Sequence, residues 1–139
     1  MAYDPDNIFA KILRGEIPCH KVYEDEHTLA FMDVMPQVDG HVLVVPKAAS
    51  RNLLDADPKM FGSMMRTVQK VAIAAKTAFS AEGVLIKQFN EAASGQTVFH
   101  LHVHVLPRHT DIDLRPHTGK MADPTLLAKH AEMIRAALR

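Results

Sequence analysis

From His100 to Val105 the chain reads HLHVHV, a histidine and an aliphatic residue changing places at every step. A period of two matches the pleat of a β-strand, whose successive side chains point to opposite faces, whereas a helix would scatter these six residues around its axis. The strand reading puts His100, His102 and His104 on one face and Phe99, Leu101, Val103 and Val105 on the other. A chain with such a strand must build a sheet, bury the aliphatic face and leave the other to chemistry or solvent. With nine histidines in 139 residues, three at alternate positions arise by chance in roughly a few per cent of such sequences. The cluster therefore calls for a reason.

Other periodicities supply the elements that pack with this strand. IFAKILR lies between Asp6 or Asn7, either able to cap, and Gly15, suited to a left-handed stop; its Ile8, Phe9, Ile12 and Leu13 recur at helical spacing. VYEDEHTLAFMDVMP predicts two short strands turning at EDEH, and GHVLVVPK predicts a third between Gly40 and Pro46. A long helix is signalled by Asp57 as cap and Pro58 at its first position, with Phe61, Met64, Met65, Val68, Val71, Ala72, Ala75 and Phe79 as an apolar stripe. VLIKQFN and TVFHLHVHVL predict two further strands, joined hairpin-fashion across EAASGQ. After a loop between Pro107 and Asp123, a last helix over about 124–138 carries Leu127, His130, Ile134 and Leu138 on one face. The expected fold is α+β: about five strands in a mostly antiparallel sheet with two main helices. It forms one domain over 1–139, with its core in 6–108 and a C-terminal extension.

Charge and cysteine content narrow the function. Sixteen Lys plus Arg balance sixteen Asp plus Glu, so no global field draws nucleic acid or an anionic membrane to the chain. Cys19 stands alone, which excludes an intrachain disulfide and an all-thiolate metal site and suits a reducing compartment. The start, MAYDPDNIFA, has neither the basic head nor the apolar stretch of a signal peptide. A cytoplasmic location is expected, with no nucleic-acid or membrane partner.

Two chemistries compete for the histidines. A metal ion can take two strand histidines, but with ~3.3 Å rise per residue the backbones of His100 and His104 stand about 13 Å apart, too far for easy sharing of one ion. A two-histidine site needs outside ligands, for which His41, Asp33 and Asp111 are candidates. The alternative divides the labour. A central His102 attacks phosphorus through one ring nitrogen while the other keeps its proton, and His100 and His104 bind the shifting charge. The preceding NEAASGQT suits an anion, because Gly95 allows close backbone approach and Gln96 and Thr97 bring donors.

GQTVFHLHVHVLPR matches the pattern of the histidine-triad (HIT) family, GHVLVVPK resembles that family's other hallmark strand, and IFAKILRGEIPCHKVYEDEHTLAFMD is similar to the amino-terminal half of its Hint branch of bacterial type. The resemblance covers most of residues 6–108. It implies a HIT-like fold and a nucleotide hydrolase or nucleotidyltransferase that attacks the α-phosphorus of purine nucleotide conjugates, phosphoramidates above all, through a covalent nucleotidyl-histidine. His102 takes the nucleophile's position, His100 and His104 those of its supports, and His41 that of a fourth histidine at the edge. Asp33 matches the carboxylate that holds ribose hydroxyls, and Asn90 a ribose or phosphate contact, in a loop one residue shorter than in animal relatives. Gly95, Gln96 and Thr97 match the phosphate loop; Ile8, Phe9, Ile12, Phe31 and Val34 match the purine slot.

The resemblance further implies a homodimer with a continuous sheet, and neither cofactor nor metal in the site. Many bacterial relatives hold a structural zinc with a Cys-x-x-Cys pair, whose positions here are Asn7 and Ala10, so that zinc is not expected. HVHVLPR and SGQTV also resemble the dinucleoside-polyphosphate hydrolase branch, which keeps that activity as an alternative. A third reading, from another class, is a non-catalytic nucleotide-binding or scaffolding module. The extension from Arg115 to Arg139 reads as a packing helix.

Overall fold

The structure, a computed structural model, describes residues 2–116 and 120–139. Strands β1 (Lys21–Glu24), β2 (Thr28–Met32), β3 (Val42–Pro46), β4 (Gly83–Lys87) and β5 (Val103–Arg108) form one sheet in the order β1-β2-β3-β5-β4, every neighbouring pair antiparallel. With helices α1 (Ile8–Leu13), α2 (Phe61–Ala78) and α3 (Pro124–Leu138), this is the expected α+β architecture. The caps act as their residue types predict: the Asn7 and Asp123 side chains accept the amides of Ala10 and Thr125. Asp57 accepts the amide of Lys59 in a short 3₁₀ turn, Pro58–Met60, that leads into α2.

Both faces of the sheet are covered, and differently. Ala30, Met32, Val42, Val44, Leu101, Val103 and Val105 pack with Met64, Val68, Val71, Ala74 and Ala75 of α2 and with Leu127, Ala131 and Ile134 of α3. The intervening residues Leu29, Phe31, Leu43 and Val45 face the other way and pack with Phe9, Ile12 and Leu13 of α1. The extension is thus a packing helix, as expected, lying over α2 and β1. In α2 the buried stripe differs in detail from the expected one, and Ala74 joins it. Met65 is exposed and Thr67 is buried instead, its hydroxyl meeting that of Thr28 at 2.7 Å. Gly40 has φ +90°, and a Cβ there would fall 2.6 Å from the Phe79 ring, so glycine alone lets the turn before β3 meet the end of α2.

The histidine segment departs from a straight strand. Ladder pairing begins only at Val103, so of the three histidines His104 alone lies within β5. The link from β4 to β5 accordingly runs over 88–102 and is not a hairpin across EAASGQ. The cause is local competition for backbone groups. The Gln96 carboxamide accepts the Glu91 amide and donates to the carbonyls of Arg51 and Val98, while Ser94 Oγ accepts the Asn90 amide. Glu91 at φ +73° and Gly95 at φ +109° complete the compact turn. The expected loop between Pro107 and Asp123 begins after β5 ends at Arg108; its residues 117–119 lie outside the described ones. Among the described residues no helix is long and apolar enough to cross a membrane.

Candidate active site

The face opposite α2 and α3 becomes polar where it reaches β5. His100, His102, His104 and His41 are all buried, between 0 and 7% exposed. Burying an imidazole without partners is costly, so each ring nitrogen should have an assignable role. His102 Nδ1 lies 2.7 Å from the His100 carbonyl and can only donate to it. In the neutral ring the lone pair then resides on Nε2. His100 Nε2 donates to the Pro46 carbonyl at 2.8 Å, leaving Nδ1 to accept from Tyr3 Oη at 2.7 Å. Burial lowers the His100 pKa from its ordinary value, against the raising effect of the Pro46 carbonyl.

A second chain of bonds fixes His104. The Gln37 amide donates to His41 Nδ1 at 3.1 Å, so the His41 proton sits on Nε2 and points at His104 Nδ1, 2.9 Å away. His104 must then carry its own proton on Nε2. Asp33 Oδ2 stands 3.6 Å from His41 Nε2, and its Oδ1 accepts the Met35 amide. Asp33, His41 and His104 are also the one group of described residues whose ligand atoms converge, within 4.8 Å of one another. It joins one member of the triad, His104, to two of the three outside ligands named from the sequence, His41 and Asp33.

A cavity of about 260 Å³ opens over these rings, lined by Gln37, Lys87, Phe89, Gly95, Thr97, His102 and His104. Of the three residues expected in a phosphate loop, Gly95 and Thr97 are in this lining. Gln96 is not in the lining; it is 3% exposed and its side chain ties the loop to Asn52, Glu91, Arg51 and Val98. Asn90 also faces elsewhere, bonding Gln88 and the Leu53 amide, and Phe89 takes the place beside His104, with ring centroids 5.5 Å apart.

Of the purine-slot residues, Phe9 stands edge-on to both His102 (4.9 Å) and Phe31 (5.4 Å). Ile12 packs beside them, while Ile8 and Val34 are 46% and 39% exposed. Phe9, Ile12 and Phe31 thus form an apolar flank on the α1 side of His102, and none of the five is in the cavity lining. Asn7 and Ala10, at the positions of the absent cysteines, serve as the cap of α1 and a buried packing residue.

Sequence reasoning missed Tyr3, Gln37, Phe89 and Lys87. No periodicity marks Tyr3, which reaches His100 across 97 positions. Lys87 becomes visible only through register: it pairs directly with His104 across β4 and β5, and cross-strand partners share a face.

The chain is similar in sequence and fold to known proteins. A HIT domain matches residues 14–111. A Hit-like protein from Bartonella henselae superposes with a TM-score of 0.92 at 52% identity, covering 98% of this chain and 99% of that one. Protein hit of Bacillus subtilis is 40% identical over 73% of this chain and 70% of its own length. The adenylylsulfatase HINT3 of Arabidopsis thaliana is 37% identical over 74% of this chain and 52% of its own length. Histidines at alternate positions, a glycine-bearing loop ahead of them, the matching sheet and these relatives lead to one assignment: the chain belongs to the HIT family.

Proposed function

We propose that the chain hydrolyses purine nucleotide conjugates, nucleoside phosphoramidates among them, by two successive displacements at the α-phosphorus, with His102 carrying the nucleotide between them. The observation that carries this reading is the 2.7 Å bond from His102 Nδ1 to the His100 carbonyl. It holds the ring in the one tautomer whose Nε2 can attack without prior deprotonation. In the first step the Nε2–P bond forms as the bond to the leaving group breaks; a leaving amine takes the electron pair and gains a proton. In the second step water attacks phosphorus, the Nε2–P bond breaks, the imidazole recovers its pair, and one proton is released. The His104 Nε2–H and the Thr97 amide supply donors for the nonbridging oxygens, while Gly95, whose amide is spent on the Ala92 carbonyl, leaves room for them beside the loop; positioning of this kind is the main source of rate in phosphoryl transfer.

The apolar flank of Phe9, Ile12 and Phe31 suits the base, with the exposed Ile8 and Val34 free to close on it, and Asp33 suits the ribose hydroxyls. The similarity to an adenylylsulfatase supports a hydrolase over a binding module. Rapid-quench labelling with an AMP conjugate radiolabelled at phosphorus tests the mechanism: an acid-labile adduct on His102 that forms and decays within one turnover is expected, and turnover without adduct refutes it. A homodimer joined through β4, an edge strand of the sheet, completes the reading; a monomer by sedimentation at micromolar concentration would remove that part.

A further inference from the structure

Across the sheet from β2 to β4, the face that bears the histidines changes character in order. Phe31 on β2 and Leu43 and Val45 on β3 are apolar and packed against α1. His104 follows on β5, and Lys87 lies directly opposite it on β4. Lys87 is the one permanently charged side chain among the seven that line the cavity. Its ammonium is held at 2.6 Å by the neutral carboxamide oxygen of Gln37, the residue whose backbone amide also fixes the tautomer of His41. Nζ also lies 5.6 Å from the Phe89 ring centroid, which keeps the cation over an apolar wall and partly out of water.

If the base occupies the α1 flank and the α-phosphorus faces His102, the part of the substrate beyond that phosphorus reaches the Lys87 end of the cavity. We propose that Lys87, presented by Gln37, is a specificity-determining residue for the leaving group, and that it selects nucleotide conjugates whose leaving group is a tetrahedral oxyanion, phosphate or sulfate, attached through oxygen to the α-phosphorus. This rests on the function proposed above and assigns to one residue the choice between amine conjugates and conjugates of an oxyanion. The chemistry agrees with the placement. A phosphate or sulfate group leaves with the P–O electron pair as an anion and needs no proton, so a fixed cation suits it better than an acid does. A departing amine gains nothing from an ammonium beside it. Burial lowers the Lys87 pKa, with the charge of Asp33 acting in the opposite sense, and a partly desolvated cation pairs more strongly with an incoming anion.

The test compares the full-length native protein with Lys87→Met and Lys87→Arg on three substrates: adenosine 5′-phosphoramidate, adenosine 5′-phosphosulfate and diadenosine tetraphosphate. The ratio of kcat/KM on each anionic conjugate to that on the phosphoramidate should drop roughly tenfold in Lys87→Met, the scale of one charge-assisted contact. Lys87→Arg should recover most of it. The loss should appear mainly in KM, and the salt dependence of the anionic reactions should weaken with it. A drop confined to the sulfate or to the polyphosphate arm supports the proposal and names which oxyanion the site takes. A ratio that moves less than about twofold, or a parallel fall on all three substrates, overturns it and leaves Lys87 a structural residue. A native protein that turns over none of the three refutes the proposed function itself, a failure distinct from that of Lys87.

Discussion

The two faces of the sheet are built from alternate residues of the same strands, yet they tolerate change in opposite ways. On the α2 and α3 face, Val42, Val44, Val103 and Val105 meet other aliphatic groups, and what matters is volume. On the α1 face, His104 and His41 sit at positions where each ring has one proton with a single assignable place. A methyl group can be exchanged for another at modest cost, whereas moving one proton in the Gln37–His41–His104 chain reverses the polarity of the group that faces the cavity. The first face is core throughout, whereas the second joins a smaller core to the buried histidines.

The sharpest separation comes from His102→Gly. Loss of the nucleophile should lower kcat/KM on any cleaved conjugate by on the order of 10³-fold or more, with nucleotide binding retained and the melting temperature little changed. Hydrolysis that survives this substitution would break the division of labour between the faces. Ile134→Ala is the counterpart. Ile134 is 0% exposed in the packed α3 interface, and its truncation should cost about 2–5 kcal/mol of stability. At a temperature where both proteins are folded, kcat/KM should match the native value; a large loss of rate would show that the faces are coupled.

A smaller effect lies in acid stability. Burial holds the folded-state pKa of His100 below the ordinary 6.5, so the unfolded chain takes up the proton first. The stabilisation is complete above that ordinary value and is lost as pH falls through the lowered one. Melting temperature should therefore fall by roughly a few degrees between pH 7.5 and pH 5.5. His130, on the other face, is also lowered by burial, with Asp39 opposing, and adds a loss of the same sign. His100→Gln should flatten the slope in part; an unchanged slope would assign the effect to His130.

Much of this was legible in the chain. The alternation HLHVHV predicted opposed faces, and Val103 and Val105 do pack on one while His104 looks to the other. Asn7, Gly15, Asp57 and Asp123 mark helix ends, because a cap depends on a side chain and an amide two or three residues apart. The orientations of Met65, Gln96 and Asn90 were not legible, for another reason. Which way each points depends on partners distant in sequence: Thr28 for the α2 stripe, Asn52 and Arg51 for Gln96, Leu53 for Asn90.

The sequence by itself determined the elements, the two-sided strand and the identity of the groups that can do chemistry, since these follow from local spacing and side-chain type. Only the tertiary structure decided the proton positions and the company the histidines keep. Pro46 holds His100, Gln37 sets His41 and through it His104, and Lys87 arrives beside them by strand register. Hydrogen bonds and charges act across a few ångströms of space, and distance along the chain says nothing about which residues will share it.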